Sequence, residues 1–293
     1  MKLGRKIRKI KTNILYFLKK NINSKIYNFI IFQLAKRKFL KSINAKKIIL
    51  SKSNKLDKIN KYEYKITSQN NEDGIINYLK ANINNPDHIF FEIGFDFNEF
   101  NSLNLIKEGW SGTLIDGDQI KCDKLKVCIK KYFKSQKINI YNNFINYKNI
   151  NEIISNSITK KNFDFFSLDI DGMDYWVLEK LDFNPKIICA EFNPWLGKSE
   201  KLILPKELNF TYRSDMYYGA SLKAYQFLLN KKNYKLVGIE SSGNNAFFIN
   251  QNEFQIQFDE LDVEESFKLD PKFKNEIYNE VYQRLLKKDW IKL

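Results

Sequence analysis

The chain has 293 residues, of which 43% are hydrophobic, and its 24 Phe and 16 Tyr can fill a sizeable core. This length and composition exclude global disorder and predict one large domain with appendages. The net charge of +15 lies at one end, because residues 1–60 hold 18 Lys and Arg and a single acid, Asp57. Residues 61–293, with 31 basic and 33 acidic residues, are nearly neutral, so a nucleic-acid-binding body is not predicted.

Residues 1–60 are predicted to form a basic amphipathic helical arm. The apolar residues that recur at helical spacing are Ile7, Ile10, Ile14, Phe17 and Leu18. The lysines that fall outside this stripe are Lys6, Lys9, Lys19 and Lys20. Three interpretations stay open: a helix packed on the body, a peripheral anchor that binds an anionic membrane surface through residues 1–50, and a nucleic-acid arm. The last is least favoured, because no base-reading element follows the arm.

Membrane spans and secretion signals are not predicted. The longest apolar run in the arm falls far short of the ~20 residues that a bilayer span needs, and no cleavage site follows it. The scattered Cys122, Cys128 and Cys189 form no CxxC pair, which predicts a reducing cytoplasm. His88, the only histidine, opens an apolar run and is interpreted as a strand start, so His-dependent triads and zinc sites are not expected.

From about residue 68 onward, short β-rich runs alternate with helical segments. The predicted strands are 88–94, 112–118, 138–145, 163–171, 186–194, 234–240 and 244–250. The predicted helices between them are 100–108, 125–133, 150–157, 176–181 and 221–229, with one more through Ile75, Ile76 and Leu79 ahead of the first strand.

This alternation predicts an α/β fold, a Rossmann-like doubly wound sheet that is mostly parallel. The last strand is expected to be antiparallel, because "SSG" joins the final two strands as a hairpin. We assign 1–60 to the arm, 61–252 to the Rossmann domain and 253–293 to a C-terminal helical cap.

Acidic residues stand at the carboxyl ends of four of the predicted strands, at the edge where open α/β sheets bind ligands. They are Glu92, Asp116, Asp118, Asp169, Asp171 and Glu191. Gly94 and Asp116 stand 22 residues apart, close to the about 20 that separate a glycine turn from a ribose-binding acid. Asp96 and Glu99 would repel a pyrophosphate, so a ribose-bearing cofactor without phosphate is favoured over NAD. S-adenosylmethionine fits, because carboxylates attract its sulfonium cation.

Seven segments resemble the FkbM-like class I S-adenosylmethionine-dependent methyltransferases of glycan and secondary-metabolite gene clusters. They are "SQNNEDGI" (68–75), "FFEIGFDFNEFNS" (90–102), "GWSGTLIDGD" (109–118), "FFSLDIDGMDYWVL" (165–178), "EFNP" (191–194), "YYGASLKA" (217–224) and "GNNAFFI" (243–249). The resemblance implies that Glu92 and Gly94 line the methionine and adenosine pocket and that Asp116 holds the ribose hydroxyls. It also implies that Asp169, beside the cofactor, and Asp171 face the reacting centre as catalytic residues.

Hydroxyl methylation needs a base or a metal ion, and without a spare histidine the chain must use an aspartate or a metal. We therefore predict an O-methyltransferase for a cell-surface glycan or lipid-linked sugar precursor, with Tyr217, Tyr218 and Ser221 in the acceptor pocket. A further hypothesis is a Mg²⁺ site. Its predicted ligands are Asp169, Asp171, Glu191 and Asn193.

The alternatives are a non-catalytic Rossmann-like binding protein and a nucleic-acid-modifying methyltransferase. The first is motivated by the single glycine, Gly94, where the E-x-G-x-G pattern has two. The second is less favoured, because "DIDG" stands where an amino-methyltransferase would carry N/D-P-P-aromatic. Asp171 or Asp174 could also serve only as a helix N-cap. The predicted location is the cytoplasm, peripheral at the inner membrane face.

Overall fold

A computed structural model describes residues 2–49, 58–157, 161–267 and 275–293. Its helices are α1 (Lys2–Asn21), α2 (Ser24–Ile43), α3 (Glu72–Lys80), α4 (Leu103–Lys107), α5 (Gln119–Tyr132), α6 (Ile150–Ser157), α7 (Asp174–Lys180), α8 (Leu222–Asn230), α9 (Val263–Ser266) and α10 (Asn275–Leu285). Its strands are β1 (Ile89–Ile93), β2 (Ser111–Asp116), β3 (Ile138–Asn142), β4 (Asn162–Leu168), β5 (Asn184–Glu191), β6 (Leu202–Ile203), β7 (Tyr234–Ile239), β8 (Asn245–Asn250) and β9 (Ile291–Lys292).

Seven strands form one sheet in the order β3-β2-β1-β4-β5-β8-β7. Strands β1 to β5 pair in parallel, and β8 is antiparallel to both of its neighbours. The predicted α/β class, the mostly parallel sheet and the antiparallel last strand are thus confirmed. The strand order reverses between β1 and β4, which is the position where open α/β sheets form a ligand crevice.

Both faces of the sheet are buried, as a doubly wound fold requires. Adjacent residues point to opposite faces, so Phe166 and Phe248 enter one core cluster while Phe165 and Phe247 enter the other. This explains why the central strands are mostly apolar and do not alternate regularly with polar residues.

At three places an element boundary differs from the predicted one because a carboxylate accepts backbone N–H groups there. The predicted strand 163–171 ends at Leu168, since Asp174 accepts the N–H groups of Ile170 and Gly172. Helix α5 begins at Gln119, ahead of the predicted 125, since Asp118 caps it. The predicted helix 100–108 shortens to α4, since the N–H groups of residues 101 and 102 point to a buried glutamate of β1.

The arm forms two helices where one was predicted, and its inner faces pack on the body. Tyr27, Ile31, Ala35 and Phe39 recur every four residues on α2 and are buried. Asp123 of α5 accepts hydrogen bonds from the Tyr27 hydroxyl at 2.8 Å and from Lys19 Nζ of α1, also at 2.8 Å. Within the described ranges, no helix combines the length and apolarity that a transmembrane span requires.

The C-terminal segment contributes a strand as well as helices. Strand β9 pairs with β6 in a separate two-stranded sheet. Helix α10 places Tyr278 in a stack against Trp195, with 6.1 Å between ring centroids. The predicted helix through Ile277, Val281 and Leu285 is therefore present, and of these three Leu285 is fully buried.

We predict that Asp123→Ala loosens the arm. The substitution leaves the buried Tyr27 hydroxyl without its acceptor, so we expect a loss of about 2–3 kcal/mol and faster trypsin cleavage within residues 1–49. The control is Asp182→Ala, which removes an exposed ion pair with Lys161 and should cost below about 1 kcal/mol. Equal trypsin sensitivity of the two variants would contradict the docking contact.

Candidate functional site

A cavity of about 370 Å³ opens at the carboxyl ends of β1, β2 and β4. Its lining includes five residues that the sequence analysis selected: Glu92, Gly94, Asp116, Asp169 and Asp171. The volume lies at the lower end of the about 300–1,000 Å³ that is typical of small-molecule sites. The cavity therefore occupies the crevice at which the strand order reverses.

Gly94 allows the ends of β1 and β4 to approach each other. Its φ is +79°, and a Cβ built there would lie 1.5 Å from the carbonyl oxygen of Asp169. The N–H of Asp169 donates to the carbonyl of Ile93 at 2.9 Å, so the two strand ends are joined directly. A glycine is required here both by the left-handed backbone and by the lack of space.

Glu92 fixes the loop after β1, and its oxygens are engaged there. Its carboxylate accepts the N–H groups of Asn101 at 2.9 Å and Ser102 at 2.8 Å, as well as the Ser102 hydroxyl. Burial raises the pKa of Glu92 to about 7, although these hydrogen bonds oppose the shift. Glu92 thus lines the cavity, but its carboxylate holds residues 95–102 in place.

Asp116 lies at the cavity edge with its carboxylate oriented by the backbone. It accepts the N–H of Asp118 at 2.6 Å and that of Phe95 at 3.1 Å, and its Oδ2 is 3.4 Å from Lys121 Nζ. Burial lowers the pKa of Lys121, but Asp116 and Asp96 more than offset this and the pKa is raised overall. An acid held in this orientation can accept hydrogen bonds from a vicinal diol.

Asp169, Asp171 and Glu191 form a cluster in which one carboxylate oxygen from each lies within 4.8 Å of the others. Burial, with repulsion from Asp171 and Asp174, raises the pKa of Asp169 to about 8. Burial and Asp169 also raise the pKa of Glu191 well above its ordinary value. A side-chain hydrogen bond with Asp169 contributes to the raised pKa of Glu191, so the two carboxyl groups titrate as a pair.

Asp174, the third aspartate of "DIDGMD", holds the loop. Its two oxygens accept the N–H groups of Ile170 and Gly172, each at 2.9 Å, and burial raises its pKa to about 6. Helix α7 has Met173 at its N-cap and no side-chain cap. Asp171 has a positive φ of 51°, which is uncommon for a residue other than glycine. The N-cap alternative therefore does not account for Asp171.

Asn193, predicted as a fourth metal ligand, is used elsewhere. Its amide donates to the carbonyls of Met216 and Tyr218, both at 2.9 Å, and its oxygen accepts the N–H of Trp195 at 3.0 Å. The side chain is fully buried and fixes the turn after β5. The candidate metal group accordingly consists of the three carboxylates without Asn193.

The residues predicted for an acceptor pocket have internal partners. Ser221 is fully buried and caps α8, and its hydroxyl donates to the carbonyl of Glu200 at 2.7 Å. The Tyr217 hydroxyl donates to the carbonyl of Asp289 at 2.5 Å. Tyr218 is buried with its ring 5.1 Å from that of Tyr212. The cavity lining instead includes Phe210, which packs against Gly172.

Sequence reasoning missed several cavity residues because it followed acidic side chains alone. They are Lys121, Asn143, Phe144, Ile145 and Phe210. Residues 143–145 follow β3 at the same edge of the sheet. The rule that side chains at the carboxyl ends of parallel strands line the ligand crevice therefore applies to them as well. Phe144 lies beside Gly117 and is 56% exposed. Its exposed ring can contact a planar ligand. Phe210 lies in an irregular segment that has no periodic pattern.

No protein-family model matches the sequence, and no curated protein matches it either. Among solved structures, the chain is similar to the magnesium protoporphyrin IX methyltransferase of Synechocystis PCC 6803 with bound S-adenosylhomocysteine. The identity is 11%, the match covers 61% of this chain and 80% of that one, and the TM-score is 0.42.

Two further similar structures also contain S-adenosylhomocysteine. The O-methyltransferase of Bacillus cereus is 15% identical over 55% of this chain and 72% of that one, with a TM-score of 0.37. TrmK of M. capricolum is 17% identical over 71% of this chain and 81% of that one, with a TM-score of 0.38. Identities this low concern the fold, and the function proposed below rests on the cavity residues.

We predict that Gly94→Ala is far more damaging than Gly109→Ala. Both glycines have positive φ, but a Cβ at Gly109 would meet nothing within 4 Å. Gly109→Ala should therefore cost only the about 1–2 kcal/mol of the left-handed backbone, and Gly94→Ala at least about 3 kcal/mol or loss of folding. Chemical denaturation of both variants measures the difference, and similar losses would refute the close approach of β1 and β4.

We predict that the stability of the protein falls as the pH rises from about 5 to about 8 and levels off above that. The folded pKa of Asp169, about 8, exceeds the unfolded value of about 3.9, so between these values the native state binds more protons than the unfolded state and loses stability with rising pH. Asp169→Asn should make the melting temperature, measured with EDTA, less dependent on pH. Asp182→Asn is the exposed control, and an equal slope in Asp169→Asn and wild type would contradict the assignment.

Proposed function

We propose that the protein is an S-adenosylmethionine-dependent O-methyltransferase. The observation that carries the proposal is the single cavity lined by Gly94, Asp116, Asp169 and Asp171 at the reversal of strand order. Its residues combine a tight strand-end turn, an oriented acid for a ribose diol and a carboxylate cluster for a cation. S-adenosylmethionine presents a ribose and a sulfonium on one molecule.

The cofactor half of the proposal assigns one part of the cavity to each part of the ligand. Asp116, oriented by two backbone N–H groups, binds the ribose hydroxyls. Phe144 and Ile145 beyond β3 contact the adenine, because their apolar surfaces lie next to this acid. Gly94 lets the ends of β1 and β4 meet beside the ligand, and Asp169 lies near the sulfonium.

The catalytic half assigns a proton acceptor. S-adenosylmethionine supplies an activated methyl group on a sulfonium sulfur, and an acceptor hydroxyl releases one proton when its oxygen takes that group. Asp169 and Asp171 are the candidate bases, because they line the cavity and Asp174 rather than either of them holds the loop. The raised pKa of Asp169, about 8, suits a base that works near neutral pH.

A Mg²⁺ ion is an alternative to bound protons as the positive charge that offsets the carboxylate cluster. Asp169, Asp171 and Glu191 would hold it, since three carboxylate oxygens within 4.8 Å of one another match the ligand preference of a hard cation. The ion would lower the pKa of a bound acceptor hydroxyl. Added Mg²⁺ should then remove the pH dependence of stability described above. Melting curves that do not change with Mg²⁺ would favour protonated carboxyl groups over a metal site.

For the acceptor we propose a hydroxyl of a glycan or of a lipid-linked sugar. We also propose that the protein acts in the cytoplasm. Phe210 and Met173 line the cavity next to the carboxylates, so a sugar ring can meet both an aromatic face and hydrogen-bond acceptors. The resemblance of the seven segments to FkbM-like methyltransferases also supports this acceptor. The location is supported by the three buried free cysteines.

Isothermal titration with S-adenosylhomocysteine tests cofactor binding. Wild type should bind one equivalent, and Asp116→Asn and Phe144→Ala should each weaken binding about tenfold or more. Phe227→Ala is a matched control, because Phe227 is a partly exposed aromatic residue outside the cavity lining. Absence of saturable binding by wild type would favour the non-catalytic alternative.

Mass spectrometry of candidate glycans incubated with S-adenosylmethionine tests the reaction, with the mass of one CH₂ group as the expected gain. Asp169→Asn should lower kcat by about 10²-fold or more while leaving S-adenosylhomocysteine affinity within about threefold. A proportional loss of affinity and rate would instead make Asp169 a binding residue. Methylation of RNA in the same assay would favour the nucleic-acid alternative.

A further inference from the structure

The arm keeps a large apolar surface exposed after its inner faces have packed on the body. On α1, Ile10, Ile14 and Phe17 are 51%, 52% and 65% exposed. On α2, Ile26, Phe29 and Leu34 are 55%, 63% and 54% exposed. Scattered exposed apolar residues need no explanation, but six that are more than half exposed on two neighbouring helices point to a partner.

The exposed residues of α1 form a stripe of their own, which we name the outer stripe: Ile10, Ile14 and Phe17. Their spacing of four and three places them on one side of the helix. The packed side is a different one, marked by the buried Leu15 and by Lys19, which reaches Asp123. Because that contact fixes the orientation of α1, the side of α1 that packs on the body is already in place. The outer stripe is therefore a second apolar surface of the helix.

The charge around the outer stripe identifies the partner. Residues 1–49 contain 15 Lys and Arg and no acid, whereas the whole chain has a net charge of +15, so the rest of the protein is neutral. A nucleic acid would use the lysines but gives aliphatic side chains no apolar surface to enter. A second copy of the arm would bring like charges together. An anionic bilayer meets both requirements, with headgroups for the lysines and acyl chains for the stripe.

The arm is also placed next to the cavity. The hydroxyl of Tyr16, on α1, lies near the Gln119 backbone and the carboxylate of Asp118, two residues beyond the cavity residue Asp116. Helix α5, which begins there, carries both Lys121 of the cavity and Asp123 of the arm contact. The arm is therefore packed on the helix that carries a residue of the cavity lining.

We infer that α1 and α2 form a membrane-docking element that inserts the outer stripe into the surface of an anionic bilayer. The inference identifies a partner that is independent of the methyltransferase reaction, since lipid binding does not require cofactor. It gives a physical reason for a lipid-linked acceptor, because the docked protein would meet that acceptor at the bilayer surface.

Vesicle flotation with the full chain tests the inference. Wild type should float with phosphatidylcholine vesicles that contain phosphatidylglycerol, bind pure phosphatidylcholine far more weakly, and lose binding as salt rises. Ile10→Ser, Ile14→Ser and Phe17→Ser combined should lower the partition coefficient about tenfold or more. The matched control combines Ile256→Ser, Ile277→Ser and Leu286→Ser, exposed apolar residues outside the arm, and should bind like wild type.

Melting curves and S-adenosylhomocysteine titration of both triple variants show whether the fold and the cavity are intact. A failure of cofactor binding would thus be recorded separately from a failure of membrane binding. Anionic vesicle binding that is absent in wild type, or unchanged in the outer-stripe variant, would overturn the inference. A lipid-free dimer that only the outer-stripe variant loses would assign the stripe to a second copy and overturn it as well.

Discussion

The contact on which the site depends is the backbone approach of β1 and β4 at Gly94. The Ile93 carbonyl accepts the Asp169 N–H, and the Asp169 carbonyl occupies the place where a side chain at Gly94 would lie. This contact joins the two strands at which the sheet reverses its order. It also sets where Asp169 leaves the sheet, and through Asp169 the position of the carboxylate cluster. A single residue without a side chain thus links the topology of the fold to the chemistry of the cavity.

Around this contact, carboxylates act in two different ways. Glu92 and Asp174 accept backbone N–H groups and hold the loops that follow β1 and β4. Asp169 and Asp171 are brought together where repulsion and burial work against them. Proteins accept such local cost at functional sites when the surrounding structure enforces it. Here the loop-holding carboxylates supply that enforcement, so both groups of acids are needed to form the site.

The sheet, its class and most element positions could be predicted from the sequence, because apolar runs such as "FFEI" and "FDFFSL" reflect burial on both faces. The edge that carries the cavity could be predicted for the same reason, from parallel strands that end in acids. Which acid does what could not be predicted. Glu92 and Asp169 both stand near the end of an apolar strand in the sequence, and only the folded loops decide that Glu92 has three donors while Asp169 has a neighbouring acid.

Asn193 and Ser221 show the same limit, since their roles arise from contacts with segments more than 18 residues away in the chain. No local pattern encodes such partners. Two helices in the arm, in place of the predicted one, have a simpler cause. Asn23 accepts the N–H of Lys25 and caps α2, a signal that the apolar periodicity alone does not contain.

Helix α5 carries side chains that contact both the cavity and the arm. Lys121 reaches Asp116 from the first turn of this helix, and Asp123, two residues further along, holds Lys19 and Tyr27. No relay of intervening side chains is required between them, since one rigid backbone segment carries both. If binding at the arm changes the affinity of the cavity for its ligand, that ligand must change the affinity at the arm by the same factor. The start of α5 is thus a rigid link between a charged surface and the cavity.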